Sequence, residues 1–118
     1  EHKGKFDIKN RAIMPLVDGA RLFAISLNLK GINNTYVRFK QLAIADPKFS
    51  EIYLNCADAF LILTKFRTLE GLKNDSTGDY ITIDELSKVD KEKLKNALIP
   101  MKELEELIKD KFQLTQFS

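Results

Sequence analysis

The sequence has little of the chemistry from which proteins build disulfides, metal centres or membrane spans. Cys56 is the only cysteine and His2 the only histidine among 118 residues, so an intramolecular disulfide and a Cys/His metal cluster within the chain are both excluded. No apolar stretch approaches the roughly 20 residues that span a bilayer, and the first ten residues are too polar for a signal peptide. We therefore expect a water-soluble protein in a reducing, cytoplasmic setting.

Motifs that cradle phosphates or carry redox chemistry are also missing. The chain contains no GxxxxGK[ST] loop, no GxGxxG turn and no CxxC pair, and its one histidine lies at a terminus where nothing orients it. Nineteen basic and seventeen acidic residues give a net charge of +2, with both signs interspersed. Because nucleic-acid and membrane-surface binding need clustered positive charge, we expect neither partner.

What the sequence does contain is an ordinary globular composition, with 44% hydrophobic and 31% charged residues. This length and balance predict a single domain over residues 1–118 with one compact core. The chain begins with glutamate and not with methionine. We interpret it as a C-terminal fragment of a longer multidomain protein.

Apolar residues recur at helical spacing along most of the chain. The spacing predicts long helices over about Ala12 to Leu29, Ser50 to Asn74 and Asp90 to Phe117, and a short helix over Thr35 to Ala45. Only Tyr80 to Ile83 has a strand-like composition, which is too short to change the fold class. The sequence therefore predicts an all-α fold, an up-and-down helical bundle of three long helices plus one or two short ones.

Two charged residues interrupt a first helix that is otherwise apolar nearly all round. Asp18 and Arg21 are three residues apart and share one face of that helix. Such a helix should lie centrally in the bundle, so the pair either is a buried or half-buried structural ion pair or lines a polar cleft that binds a ligand. Both interpretations remain open at this point.

A third charged residue, Arg67, follows the apolar stripe of the third helix. The fork of N–H donors on a guanidinium suits phosphate or carboxylate capture. The alternative is a solvent-exposed arginine, or one paired with Glu70 on the same face. Lys9 and Arg11, just before the first helix, either add positive charge at the same end of the bundle or are simply solvated.

Several blocks of the sequence are similar to one known family. Phe6-Asp7-Ile8-Lys9, followed by Ile13-x-Pro15-Leu16-Val17-Asp18-Gly19-Ala20-Arg21-Leu22, resembles the opening of the nucleotidyltransferase substrate-binding domain. The similarity continues through Ala57-x-Ala59-Phe60, Phe66-Arg67-Thr68-Leu69-Glu70-Gly71 and Leu94-Lys95-Asn96-Ala97-Leu98. Domains of this family form the C-terminal part of bacterial proteins similar to the PII-uridylyltransferase, often with cyclic-nucleotide-binding-like and CBS modules upstream.

The resemblance implies a helical bundle beside an N-terminal nucleotidyltransferase domain of the same chain, helping to bind a nucleotide or a protein acceptor. On that basis Lys9, Asp18, Arg21 and Arg67 are the substrate-binding candidates. Catalysis needs a Gly-Ser turn and an Asp-x-Asp pair that holds magnesium, and neither occurs here. We therefore expect no catalytic residue and no cofactor in this chain, and magnesium only in the catalytic domain. The competing hypothesis is a structural or regulatory module that relays signals between domains and binds no small molecule.

Overall fold

Four helices make up most of the fold. The computed structural model describes residues 4–113, of which 79% are helical. The helices are α1 (Met14–Ser26), α2 (Thr35–Ala45), α3 (Ser50–Asn74) and α4 (Lys88–Ile108), and two short strands, β1 (Lys5–Asp7) and β2 (Tyr80–Thr82), form an antiparallel pair. A π-helical turn, Lys9–Ile13, leads into α1, and another, Lys109–Gln113, follows α4. The predicted all-α bundle is confirmed.

The helices enclose one hydrophobic core. α2 packs along α3, α3 packs along α4, and α1 contacts both α2 and α4, so the four helices close a ring in which α1 lies diagonally across from α3. Large side chains from each helix fill the centre of the ring, including Leu16, Phe23, Phe39, Leu42, Tyr53, Leu63 and Leu104. No helix within residues 4–113 has an apolar stretch long enough to cross a membrane.

The ends of the first two helices are set by asparagines. α1 ends at Ser26, three residues before the predicted end at Leu29, and Asn28 then adopts a left-handed conformation (φ 58°). The N–H groups of Asn28 and Leu29 donate to the carbonyls of Ile25 and Ala24, the pairing that closes a helix C-terminus. At the start of α2, the Asn34 side chain accepts from the N–H of Val37 at 3.0 Å. Asn34 therefore caps this helix, and not the neighbouring threonine.

The last helix begins at a serine cap. Ser87 Oγ accepts from the N–H of Asp90 at 3.0 Å, so the cap lies three residues before Asp90, where the sequence predicts the helix to begin. Pro100 lies inside α4, within the segment that the sequence predicts to be helical. The regular helix ends at Ile108, and the predicted end at Phe117 lies outside the described residues.

The two-stranded sheet joins the start of the chain to the connection between α3 and α4. Phe6 pairs with Ile81, which is buried in the core. Directly after β1, the Asp7 carboxylate accepts from the backbone and the side-chain amide of Asn10 at 3.0 and 3.1 Å, satisfying an N–H of the first helical turn. The strand-like composition at Tyr80–Thr82 thus corresponds to a real strand, whose role is to attach the N-terminal segment to the bundle.

Candidate functional site

The shortest ion pair in the described residues joins Arg67, on α3, to Asp79, in the loop before β2. The Asp79 carboxylate atom Oδ1 accepts from Arg67 Nε at 3.0 Å and lies 2.9 Å from Arg67 Nη2. The side chains are 32% and 24% exposed, so water reaches the pair from one side only. The partner considered for Arg67 in the sequence, Glu70, is wrong, because the Glu70 carboxylate accepts from the Asn74 side chain instead.

Three backbone features place Asp79 beside Arg67. Asp75 takes a left-handed conformation (φ 53°) at the end of α3, and the N–H of Ser76 donates to the Gly71 carbonyl at 2.9 Å. Gly78 (φ 76°) then lies against the helix, where a Cβ would be only 1.9 Å from the Arg67 carbonyl oxygen. Because no other residue fits there, Gly78 allows the loop to fold back onto α3.

Lys9 lies at the same corner of the molecule. Its backbone N–H donates to the carbonyl oxygen of Asp79 at 3.4 Å, and its side chain is half-buried. Nearby, the Arg11 guanidinium lies 5.9 Å from the centre of the Phe6 ring. Asp79 therefore connects two of the predicted site residues, Lys9 through its backbone and Arg67 through its carboxylate.

The other two predicted site residues, Asp18 and Arg21, form a pair of their own on α1. Arg21 Nη1 lies 3.8 Å from Asp18 Oδ1, and the two side chains are 56% and 65% exposed. The expectation of a buried or half-buried pair is wrong, because α1 packs mainly against α2 and α4 and leaves one side in solvent, where Ile25 is also exposed. Such a pair contributes at most about 1 kcal/mol to stability.

The four candidates therefore fall into two groups. Within residues 4–113, no hydrogen bond or ion pair links Asp18 or Arg21 to the corner formed by Lys9, Arg67 and Asp79. Asp79 itself was missed in the sequence. The signal that could have found it is the pair Gly78-Asp79 in a turn-rich connection, since a glycine there allows the loop to approach a helix closely.

A groove with a volume of about 600 Å³ lies between α3 and the start of α4. Its floor is apolar, with Ile62, Phe66 and Leu69 from α3 and Leu86 from the segment before α4. Charged side chains of both signs form its rim: Lys65, Glu70, Lys73, Glu85, Asp90 and Lys93. Lys73 and Glu85 form an ion pair of 3.6 Å across it. Sequence reasoning did not predict this groove.

The buried nucleophilic groups are held in their neutral forms. Cys56 is fully buried and its thiol donates to the Pro100 carbonyl at 3.4 Å. Burial, together with the negative charge of Glu103, raises the pKa of Cys56 to about 12. A neutral thiol is a poor nucleophile, so Cys56 behaves as a small buried hydrophobic residue. Burial and a hydrogen bond to Asp46 likewise raise the pKa of Tyr53.

Metal-binding side chains do not cluster in the part of the chain that the structure describes, where no group of three or more His, Cys, Asp or Glu residues could hold an ion. In this part of the chain, the groups that could bind a ligand through hydrogen bonds are charged side chains, chiefly Arg67. Such an arrangement can bind and orient an anionic group.

Comparisons with known proteins give one match. No curated protein and no solved structure matches the chain. A family model does match, over residues 1–112, and therefore over nearly the whole chain, including all four candidate residues. The chain belongs to the family described as "Putative nucleotidyltransferase substrate binding domain".

Proposed function

We propose that this chain is the substrate-binding and interface domain of a nucleotidyltransferase and has no catalytic activity of its own. The observation that carries the proposal is the family match over residues 1–112. In this proposal an N-terminal domain of the same polypeptide supplies the magnesium ions and the catalytic carboxylates, and the protein works in the cytoplasm. The helical domain binds part of the nucleotide or of a protein acceptor.

Arg67 is the residue that we place against an anionic group of the substrate. Asp79 occupies Nε and Nη2 of the guanidinium and holds its plane fixed. In the described part of the chain these are the contacts found for this side chain, so Nη1 remains available as a donor. A positioned guanidinium loses little entropy when it binds a phosphate or carboxylate, which supports this role. Lys9 adds a second positive charge at the same corner.

Asp18 and Arg21 form the second part of the proposed binding surface. Both side chains are more than half exposed, so a substrate or the catalytic domain can reach them without displacing the core. Because their contact of 3.8 Å is weak, either residue can exchange its partner for one on a bound molecule. We assign them to the interface with the catalytic domain, beside the substrate.

The test is Arg67→Ala in the protein that carries both domains, with nucleotide affinity and unfolding free energy measured on the same sample. We expect nucleotide binding to weaken by about 1.5–3 kcal/mol, the contribution of a charge-assisted contact. The free energy of unfolding should fall by no more than about 1 kcal/mol, because the pair is partly exposed. Arg38→Ala, on α2, is the matched control and should leave nucleotide affinity unchanged.

A second candidate function is a structural or regulatory module that relays signals between domains without binding a small molecule. The pairing of Arg67 with Asp79 favours it, because an internally satisfied arginine already has a structural role. In that case Arg67→Ala and Asp79→Asn would both lower the free energy of unfolding and leave nucleotide affinity as it was. Lost stability with unchanged affinity would end the substrate-binding proposal.

The absence of catalysis has its own test. We expect the purified chain to transfer no nucleotide from ATP, UTP, GTP or CTP in the presence of magnesium, because it lacks the paired carboxylates that such transfer requires. Turnover that persists through purification, and that changes in Arg67→Ala, would contradict the proposal.

A further inference from the structure

The outer face of α3 exposes aliphatic side chains along almost its whole length. Leu54 is 39% exposed, Leu61 48%, Ile62 39%, Leu69 55% and Leu72 76%. At about 100° per residue these five positions lie on one side of the helix, opposite the buried Tyr53, Cys56 and Leu63. The stripe is about 27 Å long from Leu54 toward Leu72, and exposed aliphatic residues that repeat along one face of a helix are typical of an interaction site.

Two charged residues lie on the centre line of this face. Asp58 and Lys65 are both exposed, and among residues 4–113 neither makes an ion pair with another side chain. They are seven residues apart, so they point in nearly the same direction from α3 but are too far apart to contact each other. Their charges are therefore available to a partner.

The part of this face from Leu54 to Leu69 is self-complementary. Midway between Leu61 and Ile62 there is a point about which the pattern can be reversed: Leu54 and Leu69 lie equally far from it, and so do Asp58 and Lys65. When a second copy of α3 runs antiparallel to the first with the two midpoints together, leucine lies level with leucine and aspartate lies level with lysine. Leu72 has no counterpart, because the position equally far from this point on the other side is Glu51.

We infer that the outer face of α3 is the interface of a homodimer, in which two copies of this chain pair their α3 helices in antiparallel orientation. Leu61 and Ile62 lie at the two-fold axis, and Leu54 contacts Leu69 of the partner subunit. Asp58 faces Lys65 of the partner subunit, and this ion pair occurs twice. An isologous contact requires a self-complementary surface of this kind, whereas a partner of different sequence gives no reason for it. This inference does not depend on the proposed function.

The α3–α4 groove lies beside this face and favours the same arrangement. Ile62, Lys65 and Leu69 belong both to the face and to the wall of the groove. A helix that packs along α3 therefore meets a shallow depression on one flank, into which its own side chains fit. Covering the face from Leu54 to Leu69 removes four exposed aliphatic residues of each copy from water, and this burial is the driving force for association.

Charge reversal tests the inference through sedimentation equilibrium of the 118-residue chain. We expect the wild type to dimerise reversibly with a dissociation constant in the micromolar range. This corresponds to a binding free energy on the order of −8 kcal/mol. Lys65→Glu places like charges opposite each other twice in each dimer, and so does Asp58→Lys, so each should weaken dimerisation by about tenfold or more. The double variant, Asp58→Lys with Lys65→Glu, restores opposite charges and should return the dissociation constant to within about threefold of the wild type.

The matched control is Lys102→Glu, the same change of charge at an exposed position of α4 turned away from the groove, which should leave dimerisation unchanged. Far-UV circular dichroism confirms that each variant keeps its helices. A wild-type chain that stays monomeric up to about 1 mM would overturn the inference. So would a double variant as weak as the two single variants, because only a second copy carries both reversed charges; that result would assign the face to a partner of different sequence, such as the catalytic domain.

Discussion

At the scale of single residues, the contacts and the protonation of the ionisable groups follow their exposure to solvent. Arg67 and Asp79 are partly covered and form a short, two-point contact, whereas Asp18 and Arg21 are exposed and form a long one. Cys56 and Tyr53 are fully buried and stay protonated. Exposure therefore separates groups that can bind a ligand from groups that only stabilise the core.

The raised pKa of Cys56 predicts a loss of stability at high pH. The folded protein holds the thiol proton more tightly than the unfolded chain, where the pKa is about 9. The contribution is therefore fully present below pH 9 and is lost as the pH rises toward 12, by at most about 1.4 kcal/mol per pH unit. Urea unfolding at pH 8 and pH 10.5 should show a steeper decline in the wild type than in Cys56→Ala. Equal declines in both proteins would show that the thiol is not the source.

At the scale of elements, the decisive features are the points at which the backbone of one segment approaches that of another. At Gly78 the loop after α3 lies so close to the helix that a Cβ would overlap the Arg67 carbonyl. At Gly71 a Cβ would be 2.6 Å from the Ser76 carbonyl oxygen. Two glycines seven residues apart thus make this loop a fixed part of the bundle, and they carry Asp79 to Arg67.

Gly78→Ala should therefore destabilise the fold severely. Gly31 provides a matched control, because it has nearly the same backbone angle (φ 77°) but no other described atom within 4 Å of the position that an alanine methyl group would take. We expect Gly31→Ala to cost about 1 kcal/mol for the left-handed conformation alone, and Gly78→Ala at least about 2 kcal/mol more because of the backbone overlap. Denaturant unfolding of both variants measures the difference. Similar losses in the two variants would mean that the loop moves away from α3 at little cost.

At the scale of the whole molecule, one carboxylate links three segments. Asp46, after α2, accepts from the Tyr53 hydroxyl of α3 at 2.9 Å, and the same oxygen lies 3.6 Å from Lys111 Nζ in the turn after α4. Lys111 also lies 4.9 Å from the centre of the Phe49 ring. Because Tyr53 is fully buried, its hydroxyl depends on Asp46 for an acceptor.

Asp46→Ala should therefore lower the free energy of unfolding by about 1–3 kcal/mol, since it strands a buried hydroxyl. Asp46→Asn keeps an acceptor oxygen and should lose less. Adding Tyr53→Phe to Asp46→Ala removes the stranded group, so the double variant should be no less stable than Asp46→Ala alone. A double variant whose loss equals the sum of the two single losses would show that the two side chains do not interact.

The sequence by itself determined the helical class, the segments that become helices and the family. Helical periodicity is a local property, and the apolar spacing of Ser50–Asn74 and Thr35–Ala45 predicts both helices with their observed bounds. Cap positions were less accurate, by one to three residues, because neighbouring polar residues such as Asn34 and Thr35 compete for the same role.

Only the tertiary structure decided which charges meet and which remain in solvent. Periodicity shows that residues share a face but not what covers that face, so the apolar first helix gave no sign that Asp18 and Arg21 are exposed. The partner of Arg67 is twelve residues away and across a turn, and it was preferred over Glu70 on the same helix because Gly71 and Gly78 let the loop fold back. Backbone approach between segments is a property of the packed bundle: a glycine permits it, but the local sequence does not specify which helix the loop will meet.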